Sequence, residues 1–245
     1  MRYLITFSYD GSSFAGYQRQ PNLRTVQEEL EKALYKINNN QLTPICASGR
    51  TDKGVHALRA KAHFDLDISI TLSKLVRALN SYTPPDIHVR DAIIVPGDFH
   101  ARFLVKEKEY RYYISMGNFQ PMLRNYVFYC PYYLNVAAMK KAIKYLKGVH
   151  DFRSFVSENK DKSNCVREII DAKLNYDANQ QLLTFIFRGN GFMKYQIRNM
   201  VGYLIRVGEN KDKPEVIKEV LASKNRNQGF KTAPPEGLYL IDVSY

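Results

Sequence analysis

The stretch Val166-Arg167-Glu168-Ile169-Ile170-Asp171-Ala172-Lys173-Leu174-Asn175-Tyr176 alternates apolar and polar residues along most of its length. Alternation with a period of two is typical of a β-strand that buries one face. The residues predicted on the buried side are Val166, Ile170, Ala172, Leu174 and Tyr176. A second strand is predicted from Leu182 to Arg188, after the turn residues Asp177-Ala178-Asn179. The two strands predict an antiparallel hairpin.

The same patterns predict the other strands and helices of the chain. In the first half we predict strands at 2–9, near 43–48, at 60–66 and at 87–95, with helices that begin after Thr25 and near Leu72. Thr25-Val26-Gln27-Glu28 has the form of a capping box, and Tyr82-Thr83-Pro84-Pro85 cannot continue a helix. In the second half we predict a strand near 108–116, helices at about 135–147, from Phe192 and from Pro214, and a last strand over Leu238 to Val243.

Each half therefore has the element order β-α-β-β-α-β, which is the split βαβ or ferredoxin-like order. RNA-recognition domains use the same order and bind RNA on the open face of the sheet. We predict an α+β fold in which the two halves share one continuous, mostly antiparallel sheet with flanking helices. The predicted halves are 1–100 and 101–245, and together they form one catalytic domain.

The charge balance of the chain favours a polyanionic partner. Lys and Arg outnumber Asp and Glu by 36 to 24, giving a net charge of +12, and nucleic acid is the leading candidate for such a partner. The chain also has 18 Tyr and 13 Phe, and aromatic rings beside arginine suit stacking on unpaired bases. A solvated basic surface that serves solubility is the alternative interpretation.

Other features of the sequence exclude several classes of protein. A run of about 18 apolar residues is missing, so a membrane-spanning helix is not expected, and the N-terminus lacks the apolar block of a signal peptide. Cys46, Cys130 and Cys165 are far apart, which argues against a disulfide framework or a zinc site. We predict a protein of the reducing cytoplasm without metal or cofactor. The scattered histidines, His56, His63, His88, His100 and His150, are interpreted as structural or surface residues.

The loop Ser48-Gly49-Arg50-Thr51-Asp52-Lys53-Gly54-Val55-His56-Ala57 holds the best candidate for chemistry. Asp52 could be a nucleophile, a general base, a metal ligand or a structural partner. Because Arg50 is a nearby cation, Asp52 is expected to stay ionised, which suits nucleophilic attack better than acid catalysis. A salt-bridged loop carboxylate is the alternative, and on the loop alone it is the commoner case.

Three further residues are candidates for a binding site. Tyr110 could stack on a base and use its hydroxyl as a hydrogen-bond group, although a plain core tyrosine is the alternative. Arg198 flanks the apolar stripe of its predicted helix and could reach a carboxylate such as Asp52, whereas a basic helix edge is the commoner arrangement. Leu238 begins the last strand, where it is either a core residue or one wall of a pocket.

Six blocks of the sequence, in this order, resemble the bacterial tRNA pseudouridine synthase A family, and the match runs essentially from end to end. The blocks are Tyr9-Asp10-Gly11-Ser12-Ser13-Phe14-Ala15-Gly16-Tyr17-Gln18, the loop 48–57, Phe99-His100-Ala101-Arg102-Phe103, Tyr110-Arg111-Tyr112, Ile197-Arg198-Asn199-Met200-Val201-Gly202 and Glu236-Gly237-Leu238-Tyr239-Leu240.

The resemblance implies a cofactor-free isomerase that converts uridine to pseudouridine at positions 38 to 40 of the tRNA anticodon stem-loop. It implies that Asp52 is the nucleophile, that Tyr110 lies against the target base and that Arg198 pairs with Asp52. It further implies that Arg50 contacts RNA, and that the protein is a homodimer with tRNA across both subunits. With the base flipped out, Tyr110 and Leu238 would sandwich it.

One residue of the loop departs from the family pattern. Lys53 stands where the family usually has a small residue, most often alanine, and the extra cation would strengthen phosphate attraction or tune substrate choice. A non-catalytic tRNA-binding module on the same fold is the rival hypothesis. A phosphoesterase, which would require a metal, is a third.

Overall fold

A computed structural model describes residues 1–157, 164–226 and 230–245 of the chain. These residues form two compact units, of which the first comprises Met1–Lys106 with Tyr239–Tyr245 and the second Glu107–Leu238. The predicted division into 1–100 and 101–245 differs from these units chiefly at the last strand. That strand belongs with the first unit because Tyr239 and Leu240 pair in parallel with His56 and Ala57.

The first unit is an α+β arrangement built around a central antiparallel ladder. Its elements are β1 (Arg2–Tyr9), α1 (Val26–Ile37), β2 (Cys46–Ala47), β3 (His56–Asp65), α2 (Leu72–Tyr82), β4 (Ile87–Ile94) and most of β10 (Leu238–Ser244). β1 pairs antiparallel with both β4 and β3, and β2 pairs antiparallel with β3. The order β4-β1-β3-β2 with antiparallel neighbours is the ferredoxin-like arrangement.

Helix α1 begins where the sequence predicts and supports the segment before it. The Glu28 amide donates a hydrogen bond of 3.4 Å to Thr25 Oγ1, which caps the helix. The Val26 and Gln27 amides donate to the carbonyls of Gly16 (3.3 Å) and Tyr17 (2.9 Å). These bonds satisfy amides that a helix N-terminus leaves open, and they tie α1 to the chain at 16–17.

The second unit repeats the antiparallel arrangement with extra short elements. Its elements are β5 (Glu107–Ser115), β6 (Phe128–Tyr129), α3 (Val136–Ala142), β7 (Gly148–Asp151), β8 (Val166–Asp177), β9 (Leu182–Gly189), α4 (Gln196–Gly208) and α5 (Ile217–Ser223). The sheet order is β5-β9-β8-β7 with antiparallel neighbours, and β6 adds to β5 in parallel. The predicted α+β class and the β8–β9 hairpin are confirmed.

The predicted buried face of β8 is wrong at its beginning. The pairing of β8 with β9 shifts register between Ile169 and Asp171, and a bulge of this kind inverts the alternation of side chains. Ile169 is fully buried, whereas Ile170 and Val166 are exposed. Tyr176, near the far end of the strand, is also exposed.

Two helices also differ from their predicted bounds. The helix predicted from Phe192 begins at Gln196, because Tyr195 takes a left-handed backbone (φ 63°) that interrupts the helix. The helix predicted at 135–147 ends as α-helix at Ala142 and continues as a 3₁₀ helix over Ile143–Leu146. The strands β6 and β7, of two and four residues, escaped prediction because they are too short to show a period. Across the described parts of the chain, no helix has the length and apolar character to span a membrane.

Candidate active site

The loop that carries Asp52 joins β2 to β3 in the first unit and has a defined backbone. The Ser48 amide donates to the Lys61 carbonyl (2.8 Å), and the Val55 amide donates to the Asp52 carbonyl (3.2 Å). Thr51 and Val55 are buried, Asp52 is half-buried, and Arg50 and Lys53 are exposed. The loop therefore keeps the Asp52 backbone in a turn and presents two cations to solvent beside it.

The segment Gly11–Tyr17 packs directly against this loop. The Tyr17 amide donates to the Thr51 carbonyl (3.1 Å), and the Gly54 amide donates to the Phe14 carbonyl (3.4 Å). A Cβ atom on Gly11 would lie 2.0 Å from the Val55 carbonyl oxygen, so only glycine permits this approach. Two blocks that are about 40 residues apart in sequence thus form one structural unit around Asp52.

His56, the first residue of β3, adds a hydrogen bond to the contact between the segment Gly11–Tyr17 and the loop of Asp52. It is buried, and its Nδ1 accepts a hydrogen bond of 3.0 Å from the Gly11 amide. The same Nδ1 lies 3.3 Å from Asp10 Oδ1. The ring stacks on Tyr239 with centroids 4.6 Å apart. His56, predicted as a structural or surface residue, is thus a buried structural residue that anchors the loop of Asp52 to Gly11.

Tyr110 lies on the buried face of β5 in the second unit. It pairs with Phe187 of β9 and meets Phe192 edge-on, with ring centroids 5.4 Å apart. Tyr112 lies two residues further along the same buried face and donates a hydrogen bond of 2.7 Å to the Pro234 carbonyl. Burial raises the pKa of Tyr112 well above its usual value, so its phenol remains a donor at neutral pH.

Arg198 lies on α4 and holds the chain segment that leads to Leu238. Its Nε donates to the Ala233 carbonyl (2.8 Å), and its own carbonyl accepts from the Ala233 amide (3.0 Å). The guanidinium also lies 5.0 Å from the centre of the Tyr195 ring. Arg198 and Tyr112 thus bind two consecutive carbonyls, those of Ala233 and Pro234, and this clamp leads into the buried Leu238.

Glu236 lies within the clamped segment. Burial raises the pKa of its carboxyl, and the charge of Arg198 opposes that shift. Two opposing effects therefore act on the pKa of this carboxyl, since burial disfavours its charged form and the nearby guanidinium favours it.

The predicted site residues thus divide between the two units. The first unit places Arg50, Asp52 and Lys53 on one loop. The second unit brings Arg198 and the segment ending at Leu238 to the β5 strand that carries Tyr110. Sequence reasoning did not single out Tyr112, which bonds to Pro234, or Tyr9 and Thr51, whose buried hydroxyl groups bond to each other beside Asp52.

The residues Cys46, His63 and His100 form a cluster that could hold a metal. Their ligand atoms lie within 4.8 Å of one another, because β2 places Cys46 opposite His63 on β3. However, Nδ1 of His63 accepts from the Ala101 amide (3.1 Å) and Nδ1 of His100 from the Arg102 amide (3.2 Å). A histidine that binds a metal through one ring nitrogen usually donates the N–H of the other ring nitrogen. In His63 and His100 the Nδ1 atom accepts a hydrogen bond instead, so neither ring has the hydrogen bond typical of a metal ligand. The cluster suits a hydrogen bond from His100 Nε2 to the Cys46 sulfur, 3.7 Å away.

Comparisons with known proteins identify a family that this chain matches over most of its length. A family model described as tRNA pseudouridine synthase matches residues 5–104 and 142–245. Curated proteins named tRNA pseudouridine synthase A from Streptococcus pneumoniae and Streptococcus gordonii are each 44% identical to this chain over 245 residues, which is 100% of this chain and 98% of the relative. A chain in the crystal structure of a Cbf5-Nop10-Gar1 complex aligns over 82% of this chain and 54% of its own length, with a TM-score of 0.35 and 11% identity. By the family model and the full-length relatives, the chain belongs to the tRNA pseudouridine synthase family, and it is an isomerase.

Proposed function

We propose that this enzyme converts uridine to pseudouridine in the anticodon stem-loop of tRNA, at one or more of positions 38, 39 and 40, with Asp52 as the nucleophile. The observation that carries the proposal is the packing of Gly11–Tyr17 onto the loop of Asp52. Thr51, which precedes Asp52, is buried, and the Thr51 carbonyl and the Gly54 amide both bond to this segment. The Asp52 carbonyl accepts from the Val55 amide within the loop. A carboxylate on a rigid support can be aimed at one reacting atom.

The reaction rearranges atoms that the nucleoside already contains. The bond between the sugar and N1 of uracil breaks, the base rotates, and a bond from the sugar to C5 forms. The proton that C5 loses is balanced by the proton that N1 gains, so the atoms and electrons of substrate and product are the same. Asp52 could attack either the anomeric carbon or the uracil ring, and both routes fit an ionised carboxylate.

The target base must leave its stack before either attack is possible. Flipping costs a few kcal/mol, which contacts to the flipped nucleotide offset. In the proposal Tyr110 and Leu238 lie against the base, and exposed Arg50 and Lys53 contact phosphates. The ion pair of Arg198 with Asp52, which the family resemblance implies, would keep the nucleophile charged.

The proposal includes a homodimer with tRNA lying across both subunits, as the resemblance implies. Light scattering of the free enzyme and of its tRNA complex measures this directly. A mass of one subunit in both samples would reject the dimer without affecting the proposed chemistry.

The experiment that tests the nucleophile is Asp52→Asn, with Asp67→Asn as the matched control because Asp67 is an exposed carboxylate in a bend after β3. Pseudouridine is mapped in unmodified tRNA transcripts, and tRNA affinity and thermal unfolding are measured in parallel. We expect Asp52→Asn to lose activity on the order of 10³-fold or more while it folds and binds tRNA, and Asp67→Asn to match the wild type.

Three outcomes would contradict parts of the proposal. Retained turnover in folded Asp52→Asn would reject the nucleophile. Product outside positions 38 to 40 would reject the target. Wild-type enzyme that binds tRNA but forms no pseudouridine would favour the non-catalytic module.

A further inference from the structure

A basic depression lies at the far edge of the second unit's sheet. It has a volume of about 620 Å³ and lies among the 3₁₀ helix after α3, the edge strand β7 and helix α5. We call it the lysine pocket, and the residues that define it are Lys144, Tyr145, Lys147, Asp151, Lys218 and Lys224.

The charges of the lysine pocket are not balanced locally. Its single acidic lining residue, Asp151, lies 3.5 Å from Arg153 and 3.8 Å from Lys224. Among the residues that the structure describes, Lys144, Lys147 and Lys218 form no ion pair. Three lysines that form no ion pair thus line one depression, and such a concentration of charge attracts anions.

Tyr145 gives the pocket an apolar surface beside these charges. The Lys218 Nζ lies 4.3 Å from the centre of the Tyr145 ring, a cation–π distance. The contact places the Lys218 ammonium over the ring, while the residue stays exposed to solvent. A tyrosine ring with flanking ammonium groups is a surface that suits a nucleic-acid backbone.

Protection of the sheet edge explains only part of this arrangement. Lysines at an edge strand discourage pairing with another chain, and Lys147 immediately precedes β7. Lys144 and Lys218, in contrast, lie on the 3₁₀ helix and on α5. Their convergence on the same depression therefore needs another reason.

We propose that the lysine pocket binds backbone phosphates of the substrate RNA away from the target uridine. This inference rests on the proposed function. β7 is three strand positions from β5, which carries Tyr110, and three spacings of about 4.8 Å make about 14 Å. A nucleic-acid duplex rises about 3.4 Å per step of one strand. The phosphates in the pocket thus lie about four base steps or more from the base at Tyr110.

The test is the triple variant Lys144→Gln/Lys147→Gln/Lys218→Gln in the full-length enzyme. Lys224 is left intact because it pairs with Asp151. The matched control is Lys36→Gln/Lys74→Gln/Lys106→Gln, which removes the same charge from exposed lysines of the first unit. Lys36 lies over the Tyr82 ring, as Lys218 lies over Tyr145. The affinity for an unmodified tRNA transcript is measured between about 50 and 200 mM salt, together with kcat, KM and thermal unfolding.

We expect the pocket variant to fold normally, to raise KM for tRNA on the order of tenfold, and to leave kcat unchanged. The slope of the logarithm of the tRNA binding constant against the logarithm of the salt concentration should become less steep by about 2 to 3. Each lost phosphate contact is expected to reduce that slope by about 0.7 to 0.9. The control should change KM and slope much less.

Two results would overturn the inference, and both differ from failure of the proposed function. An unchanged KM and salt slope in the pocket variant would show that tRNA does not use the pocket, whether or not the pocket binds anionic vesicles or an acidic protein. Equal effects in both triple variants would show a general charge effect. Failure of the wild-type enzyme to form pseudouridine would instead reject the proposed function itself.

Discussion

The hydroxyl oxygen of Tyr9 lies 2.7 Å from Thr51 Oγ1, and both atoms are buried. Tyr9 ends β1, and Thr51 immediately precedes Asp52. The hydrogen bond therefore ties the end of a core strand to the side chain of the residue before the proposed nucleophile. It explains in physical terms why a tyrosine and a threonine occur at these positions.

Removal of this hydrogen bond should weaken the support of Asp52. We expect Tyr9→Phe and Thr51→Val each to lower the free energy of unfolding by about 1 kcal/mol and to lower kcat more than they raise KM. The double variant should lose less stability than the two single variants lose in sum, because the two residues share one hydrogen bond. Denaturant unfolding and steady-state kinetics measure these effects.

Tyr3→Phe is the matched control for that series. Tyr3 lies on the same strand and is fully buried, and within the described residues its hydroxyl has no hydrogen-bond partner. Its removal should leave stability unchanged or higher and leave kcat unchanged. Equal losses in Tyr3→Phe and Tyr9→Phe would show that the Tyr9–Thr51 bond has no special role.

Gly202 of α4 should not tolerate a side chain. A Cβ atom there would lie 1.9 Å from the Lys231 carbonyl oxygen, so Gly202→Ala must move the backbone of the clamped segment or the helix. We expect a loss of about 1–3 kcal/mol of stability and a fall in kcat, because Arg198 and the segment to Leu238 shift.

Gly97→Ala is the control for this variant, since a Cβ atom at Gly97 meets nothing within 4 Å. Thermal unfolding and kinetics of both variants make the comparison. A stable and active Gly202→Ala enzyme would mean that α4 and residues 231–233 are less closely packed than in the structure.

The free energy of unfolding should depend on pH through Glu236. Burial raises its pKa above the ordinary value of 4.5, so the unfolded chain ionises at lower pH than the folded protein. The contribution of Glu236 to stability is complete below about pH 4.5 and is lost as the pH rises through the folded pKa. Glu236→Gln should therefore be more stable than the wild type at neutral pH, and the difference should vanish below about pH 4.5.

Denaturant unfolding across pH 4 to 8 tests this expectation, with Glu215→Gln as an exposed control. A Glu236→Gln enzyme that is less stable at neutral pH would show that the attraction of Arg198 outweighs burial.

Lys53 should contribute to RNA affinity through charge alone, since it is exposed. We expect Lys53→Ala to weaken tRNA binding and to reduce the salt slope by about 0.7 to 0.9 with little change in kcat. Lys74→Ala on α2 controls for net charge. An unchanged affinity with a changed set of modified positions would mean instead that Lys53 tunes substrate choice.

Local patterns predicted the elements whose determinants are local. Thr25 caps α1 because its hydroxyl and the Glu28 amide are three residues apart, and the alternation of β9 survives intact in the sheet. The bulge in β8 was unpredictable because an extra residue in a ladder is defined against the neighbouring strand. The left-handed backbone of Tyr195 likewise makes α4 begin only at Gln196. The spacing of apolar residues does not predict this backbone conformation.

The order of the blocks by itself determined the family of this protein and its best candidate nucleophile, Asp52. What only the tertiary structure decided is how that residue is held. The contacts of Tyr9 with Thr51 and of Gly11 with His56 join residues more than 40 positions apart. The hydrogen bond of Tyr112 to Pro234 joins residues 122 positions apart, and that of Arg198 to Ala233 joins residues 35 positions apart. Such contacts form only after the chain has folded, because residues this far apart meet through packing and not through local periodicity.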